Sequence, residues 1–284
     1  MFSRGHTNLT RSDYAYWLYT FHELGIYDIP SALDLVAQIS GKPKSIYIGY
    51  SMGTTAMFVY SSLYPTEASE RLAGVIAIAP VANLTGIRCF LKYLSPFWRH
   101  PIKPIAKLLF NGIFVPKVDI IYRFCANGPI TMFFCYAFIS LVTGPNFKDL
   151  DPLYRPVADI NIPEDIAANV IDHYQQCYER KRFLQYDHGV QENLRRYGNE
   201  IPPDYPIEDI RTPISFFVSD NDWIAEEHNA LQTYNQISSE YQCGYDVSSN
   251  KDFGHGDVMT SRYVFRDLNQ AVLSKVQQME SSLC

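Results

Sequence analysis

The chain has 284 residues, enough to bury a large core as one domain with an insertion or as two small ones. Hydrophobic residues make up 47% and charged residues 19%, which excludes wholesale disorder. A net charge of −6 argues against a nucleic-acid partner and leaves no basic stripe for an anionic membrane surface.

From the N-terminus, Met1-Phe-Ser-Arg-Gly-His6 lacks the apolar segment of a signal peptide, so none is expected in this chain. Residues 13–40 predict a helix pair broken at Gly25 and Pro30; the second carries apolar residues at 32, 33, 35, 36 and 39, the spacing of one helix face. Gly41-Lys-Pro43 closes it. The β-branched and aromatic residues Ile46-Tyr-Ile48 then predict a short buried strand, and Thr54 to Tyr64 a helix. Between them lies Gly49-Tyr50-Ser51-Met52-Gly53. Strand, G-x-S-x-G and helix in that order predict a nucleophile elbow. The spacing has a steric cause: a serine on so sharp a turn is strained, and the residues two before and two after it must be small. Leu72 to Pro80 reads as a second, fully buried strand ended by proline. Strand, helix and strand imply a parallel sheet with a right-handed crossover.

From about 86 to 206 the strand–helix alternation stops, and prolines, aromatics and short apolar helical pieces take over. We expect an α/β core formed by 1–85 and 207–284, with 86–206 inserted as a helical cap. An apolar cap can be a small core of its own, a lid over an apolar cavity, or both. The longest uncharged stretch, Phe124 to Phe147, is interrupted by Asn127 and Pro129 and is too short for a membrane span; it predicts a core or lid helix. Alternation resumes with a strand at Ile214–Val218, a turn at Ser219–Asp222, a helix over 225–237 and a last strand around 243–248. A loop from Asn250 to Asp257 and a helix to about 278 end the chain.

The six cysteines, at 89, 125, 135, 177, 243 and 284, form neither C-x-x-C pairs nor zinc spacing, so isolated bridges and buried thiols both stay open. No metal or cofactor is expected. Asn8-Leu-Thr10 and Asn83-Leu-Thr85 fit glycosylation acceptors, as tripeptides of this kind also do by chance.

A serine nucleophile needs a base to take its proton and a carboxylate to orient that base. When the serine sits on an elbow, the chain order is serine, acid, histidine, with each partner on a loop after a strand. Asp222, at the end of the turn after 214–218, is the better acid and Asp220 the runner-up. Only His228 and His255 follow Asp222. His228 lies on the outgoing helix, where solvation is expected, whereas His255 sits in a loop between Gly254 and Gly256. We therefore expect Ser51 as nucleophile, His255 as general base and acid, Asp222 orienting it, and the Met52 backbone N–H facing the oxyanion. Asp257 is expected to support the loop or cap the last helix, and His22 to pack. The reaction these residues imply is acyl transfer from an ester.

Several stretches resemble the acid lipase family of α/β-hydrolases, which includes gastric and lysosomal acid lipases. They are Ser3-Arg-Gly5, Phe21 to Pro30, Tyr47 to Thr55, Ile76 to Ala82, Phe183 to Asp187, Pro202 to Tyr205, Asn221 to Ala225, and Gly-His-Gly-Asp from 254. The resemblance runs over nearly the whole chain. It implies hydrolysis of neutral lipid esters (acylglycerols or steryl esters) at a lipid–water interface, in a secreted or lysosomal parent protein, and it matches Ser51, Asp222 and His255 to the family triad. By the same resemblance, Cys125 and Cys135 lie near the family's cap disulfide, with a different spacing.

Three departures stand out. Tyr50 and Met52 replace the family's His and Gln around the serine, a change expected to alter pocket lining more than mechanism. Gly254-His-Gly-Asp-Val258 replaces an Asn-His-Leu-Asp-Phe motif, which should loosen the loop holding the base. The family also places several strands and a His-Gly oxyanion loop before the elbow, whereas only 45 residues precede Ile46 here and the two His-Gly pairs, at 188 and 255, lie downstream. We therefore expect an N-terminally truncated form of an active lipase that lacks one oxyanion donor, a loss worth on the order of 10²–10³ in rate. The alternative expectation is a catalytically silent, lipase-like protein that binds lipid or a partner.

Overall fold

The computed structural model describes residues 6–114, 123–125, 127–151, 165–281 and 284; Ser3, Arg4 and Gly5 lie outside them. Four strands, β1 (Ser45–Tyr50), β2 (Leu72–Ile78), β3 (Ile214–Val218) and β4 (Gln242–Val247), form one sheet in the order β1-β2-β3-β4. Every pairing is parallel. Parallel neighbours need crossovers, and helices on both faces bury the sheet.

The helices named below are, in chain order, α1 (Ile29–Ser40), α2 (Met52–Leu63), α3 (Pro129–Thr143), α4 (Ala168–Arg180), α5 (Glu227–Tyr234) and α6 (Gln270–Glu280). The pleat sends Val75, Ala77, Ile214, Phe216 and Val218 to one face, against Met57, Phe58, Leu33 and Tyr234 of α2, α1 and α5. Ile76, Ile78 and Phe217 point the other way, against Val272 and Met279 of α6. Met279 sits directly over Gly74, where a Cβ would collide with its sulfur.

The first helical segment differs from its expected shape. Helix Phe21–Glu23, π segment Leu24–Asp28 and α1 follow without interruption, so neither Gly25 nor Pro30 breaks the run. Pro30, which has no N–H to donate to the turn before it, comes just after the π segment that widens that turn. Gly25 lies so close to α2 that a Cβ would stand 2.6 Å from Val59 Cβ and 2.9 Å from the Ala56 carbonyl.

The elbow strand also departs from expectation. Among the described residues β1 pairs only with β2, making it the edge of this sheet, and Ile48 is 50% exposed. Its apolar residues look like those of a central strand, but burial needs a neighbour on each side. The helix expected over 225–237 is shortened to α5, and the last helical stretch is divided into Asp257–Thr260, π segment Phe265–Asn269 and α6.

Between β2 and β3 the regular elements among the described residues are helices, with isolated bridges at Ile113–Ala167, Leu150–Ser261 and Leu184–Asp204. Cys177, Phe183, Leu184 and Tyr205 from this stretch join the core on the α2 face of the sheet. α3 is no core helix: Ile130, Phe133, Phe134 and Phe138 are each more than half exposed. Among the described residues no helix is long and apolar enough to cross a membrane. Cys125 is bonded to Cys135 and Cys243 to Cys284, while Cys89 and Cys177 are buried free thiols.

Candidate active site

β1 ends at Tyr50 and α2 begins at Met52, leaving Ser51 alone in the turn at φ 53° and ψ −119°. A non-glycine residue in this region is strained by about 1–3 kcal/mol and persists only when its surroundings fix it. Here they do. Ser51 N–H donates to the Ile78 carbonyl (3.1 Å), and the Ser51 carbonyl accepts from Thr54 Oγ1 (2.6 Å). Thr54 Oγ1 in turn accepts from Val81 N–H (3.0 Å), and Tyr47 O–H donates to the Gly53 carbonyl (3.0 Å). A Cβ on Gly49 would approach Gly53 C and Thr54 N to 3.2 Å, which is why a small residue precedes the turn. Met52 N–H belongs to the first turn of α2, whose amides have no intrahelical acceptor.

The loop after β3 carries Asp222, which is buried. Its Oδ1 accepts from Ile224 N–H (2.9 Å) and Ala225 N–H (2.7 Å), so Oδ2 is aimed at His255 Nδ1, 2.7 Å away. His255 Nε2 lies 2.8 Å from Ser51 Oγ. A carboxylate at Nδ1 keeps the proton there and leaves Nε2 free to accept from the serine hydroxyl. Residues 51, 222 and 255, expected from chain order, thus meet in one hydrogen-bonded row.

The loop carrying the base is not loosened by its glycines. His255 N–H donates to the Thr143 carbonyl (2.8 Å), Gly254 N–H to Asp257 Oδ2 (2.7 Å), and Tyr50 O–H to the His255 carbonyl (2.7 Å). Glycine at 254 permits close approach, since a Cβ there would stand 2.8 Å from the Gly144 carbonyl. The end of α3 is wedged between the acid and base loops: Asn221 Nδ2 donates to the carbonyls of Pro145 (2.9 Å) and Asp252 (2.7 Å).

Behind this wedge lies a buried polar cluster. Asn146 Nδ2 donates to Asp257 Oδ2 (2.8 Å) and Asp149 Oδ2 (2.9 Å), and Asn250 Nδ2 to Asp149 (2.8 Å) and Asp267 (2.7 Å). Burial raises the Asp257 carboxyl to about 6; the bonds from Gly254 and Asn146 oppose the rise, and the charges of Asp149 and Asp267 add to it. Asp257 opens the short helix 257–260 rather than capping α6. Neither Asn146 nor the phenol of Tyr50 was expected here. Their partners lie 111 and 205 positions away, and no local pattern announces such contacts.

The other singled-out residues lie elsewhere. Asp220 pairs with Lys251 on the surface (2.5 Å), His228 contacts Gln232 (3.0 Å), and His22 Nδ1 meets Tyr205 O–H (2.8 Å). Asn8 is exposed, whereas Asn83 Nδ2 donates to Gln232 Oε1 (2.9 Å). Among the described residues no group of three or more His, Cys, Asp or Glu could hold a metal ion.

A parallel sheet with a serine elbow after one strand, and a carboxylate and a histidine delivered to it by loops after later strands, is the α/β-hydrolase fold. The curated relatives of the chain are lipases of the acid and gastric family. Lipase 1 of Drosophila melanogaster is 26% identical over 98% of this chain and 62% of its own length. Human lysosomal acid lipase/cholesteryl ester hydrolase is 25% identical over 84% and 59%, and bovine gastric triacylglycerol lipase 27% over 79% and 56%. The chain thus spans about three fifths of the length of these relatives. No protein-family model matches it. Among solved structures it is similar to a monoglyceride lipase from Saccharomyces cerevisiae, 14% identical with a TM-score of 0.48 over 94% of this chain and 74% of that one.

Proposed function

We propose that the chain is a serine ester hydrolase of neutral lipid esters, acylglycerols or steryl esters, acting through an acyl-enzyme. The observation that carries this is the hydrogen-bonded row from Asp222 through His255 to Ser51. Ser51 Oγ attacks the ester carbonyl carbon while His255 Nε2 takes its proton; Asp222 holds the imidazole and stabilises its charged form. The tetrahedral oxyanion collects the Met52 N–H. Collapse breaks the bond to the alcohol, which leaves with the proton from His255. Water, deprotonated by the same histidine, then releases the acid and restores the serine.

The lipid substrate class is supported by the names of the relatives, one a triacylglycerol lipase and one a cholesteryl ester hydrolase. The exposed aromatic face of α3 suits a lipid–water interface, and we assign 86–206 the role of cap. A secreted or lysosomal setting fits the two disulfides, and the exposed Asn8 is the better glycan acceptor. Emulsified triacylglycerol and a steryl ester, offered to the chain and to Ser51→Ala, test the proposal. We expect fatty-acid release by the first and none by the second.

A second function, lipid binding without turnover, is favoured by one observation: among the described residues the elbow strand has a neighbour on one side only. Lipid that co-purifies with folded protein incapable of hydrolysis would select it and overturn the first.

A further inference from the structure

We propose that Tyr50 is a positioning residue for the general base: its phenol ties the His255 main chain to the strand that carries the nucleophile. This rests on the hydrolase function proposed above and identifies what sets the distance between its two reacting side chains. Tyr50 is the last residue of β1, covalently next to Ser51. Its O–H donates to the His255 carbonyl at 2.7 Å, and its ring centroid lies 5.1 Å from that of the imidazole at a tilt of 34°.

The base loop is held in place by hydrogen bonds rather than by the sterics of its two glycines. His255 lies between Gly254 and Gly256, and rotation of either adjoining peptide would swing the imidazole away from Ser51. One of these bonds, from the His255 N–H, holds the loop to Thr143 at the end of α3; another, from the Gly254 N–H to Asp257, lies within the loop. Neither refers the base to the nucleophile. The bond from Tyr50 does, because donor and nucleophile are consecutive residues on one rigid turn, whereas base and nucleophile are 204 positions apart in the chain. The donor is also permanent. Burial, with the nearby charges of Asp222 and Asp257, raises the phenol's pKa further above its ordinary value, so it stays protonated wherever the protein is folded. With its one proton given to the carbonyl, the same hydroxyl is not left to donate to an oxyanion.

Tyr50→Phe keeps the ring and removes the tether. Misplacing a reacting group by about an ångström lowers rate by up to about 10²-fold, so we expect kcat to fall about 10- to 100-fold with KM within twofold of wild type. The independent readout needs no substrate: the downfield proton resonance between His255 Nδ1 and Asp222 should broaden through faster exchange with water in Tyr50→Phe. A merely structural role would lower the melting temperature and leave both the resonance and the kcat of the folded fraction at wild-type values; that result overturns the proposal. Wild-type protein without ester turnover would instead sink the hydrolase function, and the resonance would still decide whether Tyr50 holds the base. Tyr50→His, which restores a polar side chain of different reach, should recover neither readout; full recovery of both would contradict the tether.

Discussion

Ser51 keeps a backbone conformation that an isolated serine avoids, and the bonds that fix it come from β2 and α2 rather than from its own side chain. Its hydroxyl is therefore committed to His255, whose other nitrogen is committed to Asp222. Replacing Asp222 by Asn leaves the shape and turns the imidazole to the wrong tautomer, so we expect kcat to fall about 10⁴-fold with little change in melting temperature. Asp257 gives a pH dependence of opposite sense to a stabilising carboxylate. Its folded pKa, about 6, lies above its ordinary value of 3.8, so the folded state binds the proton more tightly than the unfolded one. Its contribution is most favourable below the ordinary value and declines as pH rises through 6. We expect Asp257→Asn to gain in melting temperature relative to wild type between pH 4 and 7, measured as the difference between the two curves. That the side chains of Ser51, Asp222 and His255 meet was legible because their order along the chain is constrained by the strand each one follows. Tyr50 and Asn146 were not, since what matters is which atom they meet across the fold.

At the scale of elements, the π segment Leu24–Asp28 approaches α2 closely where Gly25 rests on Val59 and Ala56. A methyl group here meets a β-branched side chain and a carbonyl, neither of which can swing aside. Overpacking of this kind costs about 1–3 kcal/mol, and we expect Gly25→Ala to lose that much in urea denaturation and to slow ester turnover by disturbing the elbow helix. β2 and β3 were legible as continuous apolar runs, and both are buried on their two faces. β1 looked the same from its residues and is half-exposed, because an apolar run cannot tell how many neighbours a strand will have. The continuity from Phe21 to Ser40 was hidden for a related reason: Gly and Pro are read as breaks, and a π segment with proline in the next first turn absorbs both.

Across the described residues, apolar side chains are exposed over 91–110, where Leu108 is the barest, and at two further places. One is α3 with its phenylalanines; the other is the β1 edge, where Ile48 is exposed and, on α1, Leu35, Val36 and Ile39 are too, Ile39 by 77%. An open edge with apolar neighbours invites association. We expect concentration-dependent light scattering by the chain, reduced in Ile39→Lys with no loss of melting temperature; equal scattering by the two proteins would mean that this edge is not where copies meet. All of this matters for function only if the row of three side chains activates the serine. The direct test is a fluorophosphonate probe followed by peptide mapping of the modified protein. We expect one adduct, on Ser51, formed by folded wild type, absent in Ser51→Ala and strongly slowed in Asp222→Asn and His255→Ala. Folded wild-type protein that takes no label at Ser51, or labels equally fast without His255, would contradict the hydrolase.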